Sequence, residues 1–193
     1  MARPQAFDTT EVLRLAMHVF WSKGYEAASL ADILAATGLS KSSLYATFGD
    51  KHALFLAAFE AYTTERMQHL HQSLNDGRPA RLSIEGFFRR GVAHGSDPSQ
   101  PHGCMTANEA IELGPHDPAV QQLVAQDFQA TEDAFAQAIL RGQNDGSIAN
   151  RTDPRRLARV LTVSLQGLQV MARAQTGRAW LDDAVTVMLT MLD

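Results

Sequence analysis

A chain of 193 residues, 45% hydrophobic and 20% charged, is long enough to bury a core of ordinary size and lies outside the composition of disordered segments. Its net charge of -4 argues against bulk electrostatic coating of nucleic acid, which needs clustered Lys and Arg, so any DNA contact has to be local. A single cysteine, Cys104, excludes an internal disulfide framework, and neither the opening segment nor any later stretch approaches the roughly 20 apolar residues of a membrane span, so a cytoplasmic protein without membrane contact is expected.

In chain order, the first helix is marked by Asp8 and Glu11 at capping-box spacing and by Leu13, Ala16, Met17 and Phe20 at helical period; Gly24 ends it. Ser29 followed by Asp32 opens a second short helix with Leu30, Ile33 and Leu34, closed at Thr37-Gly38. Ser40 starts a third that runs to Phe48. Gly49-Asp50 then separates it from a long helix carrying Leu54, Phe55, Ala58, Phe59 and Tyr62. Breaks at Pro79, Ser96 to Pro101, Gly114-Pro115, Asn144-Asp145-Gly146 and Thr176-Gly177 delimit about five further helices. No convincing alternation of apolar and polar residues appears, so an all-α fold of about nine helices is expected, divided into residues 1–50 and 51–193.

Residues 29–48, SLADILAATGLSKSSLYATF, have the form of a helix-turn-helix, two short helices about a central glycine. Ile33 and Leu34 of the first helix and Leu44 and Phe48 of the second suit packing against Phe20, which would hold the second helix outward. Lys41, Ser42, Ser43 and Thr47 then lie on the start and outer face of a helix that fits the major groove, where small polar side chains allow close approach to base edges. Lys51 stands at a helix start, where the macrodipole disfavours a cation unless an anion such as phosphate lies nearby. Arg3, in the polar segment before the first helix, is either a tail residue without a role or part of a basic arm that reaches a groove or the backbone.

Through GYEAASLADILAATGLSKSSLYATFGDKHALF at residues 24–55, the chain resembles the TetR/AcrR family of bacterial transcriptional regulators, and its Phe20-Trp21 pair resembles the ComR/NemR-related subgroup. The resemblance implies a repressor released from a palindromic double-stranded DNA operator by a small-molecule or thiol-reactive signal. Lys41, Ser42 and Ser43 become base or phosphate contacts, Tyr45 and Lys51 phosphate contacts, with Ser29 and Thr47 completing the DNA-facing set; Ala46 and Thr47 are smaller or less basic than residues often found there. It also implies a homodimer built on the last two long helices. Their stripes are Leu157, Leu161, Ser164, Leu168 and Met171 around Gly167, and Val185, Met188, Leu189 and Leu192, although an intramolecular core explains either stripe equally well. A ligand cavity is implied among the middle helices, with Tyr62, Phe87, Phe88, Met105, Asn108, Phe128 and Phe135 as lining candidates, against the alternative of plain packing.

Cys104 follows the Pro101 break at the expected start of a helix, where the dipole favours thiolate and a protonated His102 adds positive charge. The position resembles that used for thiol sensing in the subgroup; the alternative is a small hydrophobe in the core. His102, Cys104, Glu112 and His116 also offer a second reading, a small enzyme, and a helical adaptor is a third. No HExxH, P-loop, GxSxG or paired CxxC motif supports catalysis, so no enzyme, cofactor or metal is expected.

Overall fold

The structure, a computed structural model, describes residues 7–97 and 102–193; Arg3 lies outside them. Among the described residues nine α-helices follow one another: α1 (Thr9–Lys23), α2 (Leu30–Thr37), α3 (Lys41–Phe48), α4 (Lys51–Leu74), α5 (Ala80–Gly95), α6 (Met105–Glu112), α7 (Pro118–Asp145), α8 (Pro154–Arg173) and α9 (Arg178–Leu189), with a final turn of 3₁₀ helix at Thr190–Leu192. Among the described residues there is no strand, and no helix is long and apolar enough to cross a membrane.

The helix starts follow from local chemistry. Ser29 and Asp32 close a full capping box, each side chain taking the other's backbone N–H. Ser40 caps α3 by accepting the Ser43 N–H, and Asp50 caps α4 by accepting that of Ala53. At α1 the expected box does not form: Asp8 caps the helix by accepting the Thr10 N–H, one position short of Glu11, and Glu11 pairs with Arg14 at 2.7 Å. Gly38 ends α2 in the left-handed conformation, φ 68°, which a residue with a Cβ resists; this is the turn between α2 and α3.

Two apolar cores result. The first gathers Ala16, Met17 and Phe20 of α1, Ile33 of α2, Leu44 of α3 and Leu54, Phe55, Ala58, Phe59 and Tyr62 of α4. It is completed by Met105 and Leu113 and by Val120 and Val124 of α7, and Leu34 and Phe48 pack at its edge. The second gathers Leu70 and Leu74 of α4 with α5, α7, α8 and α9 through Ile84, Phe88, Phe135, Ile139, Leu161 and Val185, among others. Helix α4 therefore contributes one end to each.

This packing corrects part of the expected dimer surface. Leu161, Val185 and Leu189 are at most 1% exposed and belong to the chain's own second core, so their side chains cannot meet a partner. Leu168 and Met188 are half-buried against the same core, and only Gly167 of the expected set is exposed. The apolar side chains left uncovered on α8 and α9 are instead Val160, Val163, Val170, Trp180 and Val187. Both helices are apolar on two sides, and the more continuous stripe is the one that packs inward.

The burial difference sets stability. Leu161→Ala should cost about 2–5 kcal/mol by lost transfer and cavity formation, whereas Leu82→Ala, at a position 48% exposed on α5, should change stability by no more than about 0.5 kcal/mol; urea unfolding of the two variants measures both.

Candidate DNA-binding face and sensing region

The second helix of the helix-turn-helix is held by one fully buried residue, Leu44, so the opposite side of α3 faces outward. Lys41, Ser42, Tyr45 and Ala46 are exposed there, with Ser43 and Thr47 half-buried at its margins and Ser29 exposed at the start of α2. The N-terminus of α3 is ordered by a serine cluster absent from the sequence expectation. Ser40 Oγ lies 3.0 Å from Ser42 Oγ and 2.9 Å from Ser43 Oγ, so two of the hydroxyls assigned to DNA are already oriented by a cap. Thr47 Oγ1 donates to the Ser43 carbonyl at 2.9 Å. The Lys41 ammonium lies 5.6 Å from the Tyr45 ring centroid, a cation–π approach that keeps lysine and phenol on one face.

Lys51 has a partner of its own. Its ammonium donates to the Tyr25 carbonyl at 2.7 Å and sits 4.4 Å from the centroid of the Tyr25 ring. The expectation that a cation at this helix start needs an external anion therefore omitted an internal solution, which ties α4 to the end of α1.

Two further ties join the first helices to the rest of the chain. Glu112, the last residue of α6, accepts the Glu26 backbone N–H at 3.0 Å. A Cβ at Gly24 would lie 2.6 Å from its Oε2 and displace that carboxylate, and Gly24 has φ 82°, a backbone conformation that favours glycine. His52 near the start of α4 pairs with Asp117, the N-cap of α7. The only signal in the sequence was Gly24 itself, a residue type that marks close approach without naming what approaches.

Cys104 is 5% exposed and is the N-cap residue of α6, in agreement with the expected helix start. The Tyr62 hydroxyl donates to its sulfur at 3.6 Å and accepts the Met105 N–H at 3.1 Å. Burial, reinforced by the adjoining Cys104, pushes the Tyr62 phenol well above its ordinary range. Trp21 packs 5.3 Å from Tyr62 and 5.8 Å from His102, ring centre to ring centre, so α1 forms part of the wall around the thiol. The four residues of the enzyme reading do not make one site: His102 packs against Trp21 at a tilt, Glu112 holds the α1–α2 corner, and His116 is exposed. Among the described residues no cluster of three or more His, Cys, Asp or Glu stands at metal-binding distance.

The expected ligand-lining residues separate. Tyr62 and Met105 lie in the first core and Phe88, at 1% exposure, in the second, with Phe135 at its side; Asn108 is held by the His102 carbonyl at 3.0 Å. Of these residues Phe128 lines a groove of about 490 Å³ among α6, α7 and α8. On α6, Glu109 is 1% exposed. Burial, then repulsion from Glu112, lifts its carboxyl to about 8, opposed by Arg173.

A compact bundle that carries a helix-turn-helix with an outward, polar second helix defines a DNA-binding transcriptional regulator. The comparisons make the class specific. The family model for bacterial regulatory proteins of the tetR family matches residues 12–58, and that for the tetracyclin repressor-like C-terminal domain matches residues 80–188. The chain is 35% identical to the HTH-type transcriptional regulator YezE of Bacillus subtilis, covering all of both chains, and 30% identical to the HTH-type transcriptional repressor ComR of Escherichia coli, covering 89% of this chain and 82% of ComR. Among solved structures, a cysteine mutant of the TetR family regulator CifR in complex with 26-bp operator DNA superposes with a TM-score of 0.86 at 32% identity, over 99% of this chain and all of the other. The reduced form of NemR from E. coli shares the fold, with a TM-score of 0.88 at 20% identity over 97% and 98% of the two chains. The chain belongs to the TetR family.

Glu109 supplies a pH prediction. An acid that holds its proton more tightly when folded than unfolded stabilises the fold most below its ordinary value of 4.5 and loses that contribution as pH rises to about 8. Glu109→Gln should therefore be more stable than the wild type at pH 7.5 and should flatten the fall in thermal midpoint between pH 5 and about 8; parallel slopes for the two proteins would contradict the assignment.

Proposed function

We propose that this regulator is a cytoplasmic, non-enzymatic repressor that binds a palindromic operator as a homodimer and is released from it by a small-molecule or thiol-reactive signal. In this reading residues 1–50 form the DNA-binding unit and residues 51–193 the sensing and dimerising unit. The observation that carries it is the outward face of α3, where Lys41, Ser42 and Tyr45 stand exposed on a helix anchored from behind by Leu44. Lys41, Ser42 and Ser43 at the helix start read base edges or bind phosphate, while Tyr45, Thr47, Ser29 and Lys51 contact the backbone on either side. Phosphate contacts set register and affinity; base contacts set sequence preference. Support also comes from the relatives: CifR was solved with operator DNA, and ComR is named a repressor.

Dimerisation is assigned to the uncovered apolar side of α8 and α9. Val163 and Val187 are 73% and 70% exposed, and exposed Gly167 lets a partner helix approach closely. Two copies joined there would carry two α3 helices related by a twofold axis, as a palindrome requires. For the signal, Cys104 supplies a thiol at a helix N-terminus enclosed by Tyr62 and Trp21, so its modification would disturb the wall that α1 shares with α4 and α6.

A duplex selected from a random pool tests these assignments by retardation. Lys41→Ala should change the preferred sequence, and Lys51→Ala should weaken all sequences alike and reduce the salt slope of log K by about 1. Because Lys51 also braces Tyr25, its thermal midpoint is measured alongside; an unchanged affinity and slope in a folded variant removes it from the interface. Val163→Glu should sediment as a monomer and lose specific retardation, whereas an unaltered dimer would place the interface elsewhere.

A further inference from the structure

The first turn of α4 meets two other elements at a corner built around Tyr25. The Tyr25 ring lies 4.9 Å from that of Phe55 and 6.1 Å from that of Phe20, centroid to centroid, which fixes it against the first core. Two neighbouring residues of α4 close on it. Lys51 holds its carbonyl and one ring face, and the His52 imidazole stands perpendicular to the ring with the centroids 6.0 Å apart. His52 Nε2 is also bonded to Oδ2 of Asp117, the residue that caps α7, so one side chain touches both the end of α1 and the start of α7.

Asp117 is aimed by its own helix. Its Oδ1 accepts the Ala119 and Val120 N–H at 2.9 Å and 3.2 Å, which leaves Oδ2 for the imidazole. Burial raises the Asp117 carboxyl, but the His52 bond and the two N–H groups outweigh it and hold the carboxyl below its ordinary range, so it is charged at neutrality. Burial, then Glu26, Asp50 and Asp117, raises the Tyr25 phenol, which is uncharged there. The charge of the pair near neutrality therefore turns on the imidazole, a group that titrates between about pH 5 and 8. Around it the three carboxylates that act on Tyr25, those of Glu26, Asp50 and Asp117, stand against the ammonium of Lys51, and exposed His116 adjoins Asp117 in the chain.

We propose that His52 and Asp117 are positioning residues for operator binding: they form a clasp that sets the Lys51 end of α4 against α7, and the clasp tightens when the imidazole takes up a proton, so the operator is bound more strongly as pH falls. The inference rests on the reading of Lys51 as a phosphate contact, and it adds what holds that lysine's helix in place. Two effects share this sign. A charged imidazole turns a neutral hydrogen bond to Asp117 into a charge-assisted one, which is stronger. It also offsets a carboxylate at the corner where phosphates approach Lys51. The side chains are 38% and 20% exposed, so the effect stays in the range of a surface pair, about threefold per subunit and about tenfold for two subunits on one operator.

The test measures retardation of the selected duplex by the full chain at pH 6, 7 and 8 and one ionic strength, for the wild type, His52→Gln and Asp117→Asn. Glutamine keeps a neutral donor, and asparagine keeps an oxygen that caps α7. From pH 8 to pH 6 the wild type should gain about tenfold in affinity beyond whatever His52→Gln gains through the other histidines, and the two should converge at pH 8. Asp117→Asn should gain no more than His52→Gln. Parallel profiles for the wild type and His52→Gln, or the full gain in Asp117→Asn, would overturn the proposal. Urea unfolding of the same proteins and of the double variant, without DNA, reads the clasp independently of the operator. Coupling between the two residues should be larger at pH 6 than at pH 8, and equal coupling at both would overturn the clasp. Larger coupling at pH 6 with a flat retardation profile overturns the positioning role; larger coupling with no retardation at any pH upholds the clasp and removes the operator reading.

Discussion

The apolar stripe of α4 is the constraint from which the rest of the arrangement follows. One helix of 24 residues, about 36 Å long, buries Leu54, Phe55, Ala58, Phe59 and Tyr62 in the core it shares with α1, α2 and α3, and Leu70 and Leu74 in the core it shares with α5, α7, α8 and α9. The DNA-facing helix α3 has a single buried anchor, Leu44, in a core that α4 fills. Its position relative to the C-terminal bundle is therefore set by how α4 lies, and by the side ties from Glu112 to Glu26 and from His52 to Asp117. A change in α6 or α7 reaches α3 through packed side chains and these polar contacts.

How much of this was legible in the sequence depended on the range of the interaction. Capping residues, the Gly38 turn and the period of apolar residues act within a few positions, so the first four helices and the exposed side of α3 could be read directly. The α8 and α9 stripes were found but set on the wrong side: periodicity shows that a face is apolar, not whether it meets its own chain or another. Leu161, Val185 and Leu189 fill the inner side, and a second, less continuous row at Val160, Val163, Val170 and Val187 remains outside. Lys51 was recognised as a cation in need of a partner, but Tyr25, 26 positions earlier, was not legible as that partner. The contact between Glu112 and Glu26 spans 86 positions and left no trace except Gly24.

Buried polar groups of the helices after α3 are paired to different degrees. Arg66 donates to both oxygens of Asp127 at 2.7 Å and to Thr131 Oγ1 at 2.6 Å, which compensates a carboxylate only 1% exposed and locks α4 to α7. Tyr62, Cys104 and the Met105 N–H form a second closed set at the start of α6. Glu109 of α6 and Thr162 and Gln166 of α8 carry unpaired buried atoms as well. Arg66 Nε on α4 and Trp21 Nε1 on α1 are also buried without a partner, so unpaired polar atoms are not confined to α6 and α8. Helix α6 ends at Glu112, which ties it to the α1–α2 corner.

The central claim is that two outward α3 helices read one operator from the same side. Hydroxyl-radical footprinting of the full chain on a duplex selected from a random pool tests it most directly. Two protected patches related by a dyad, on one face of the duplex and separated by about one helical turn or a whole multiple of it, are the result expected. A single patch, or protection that does not depend on sequence, would contradict it.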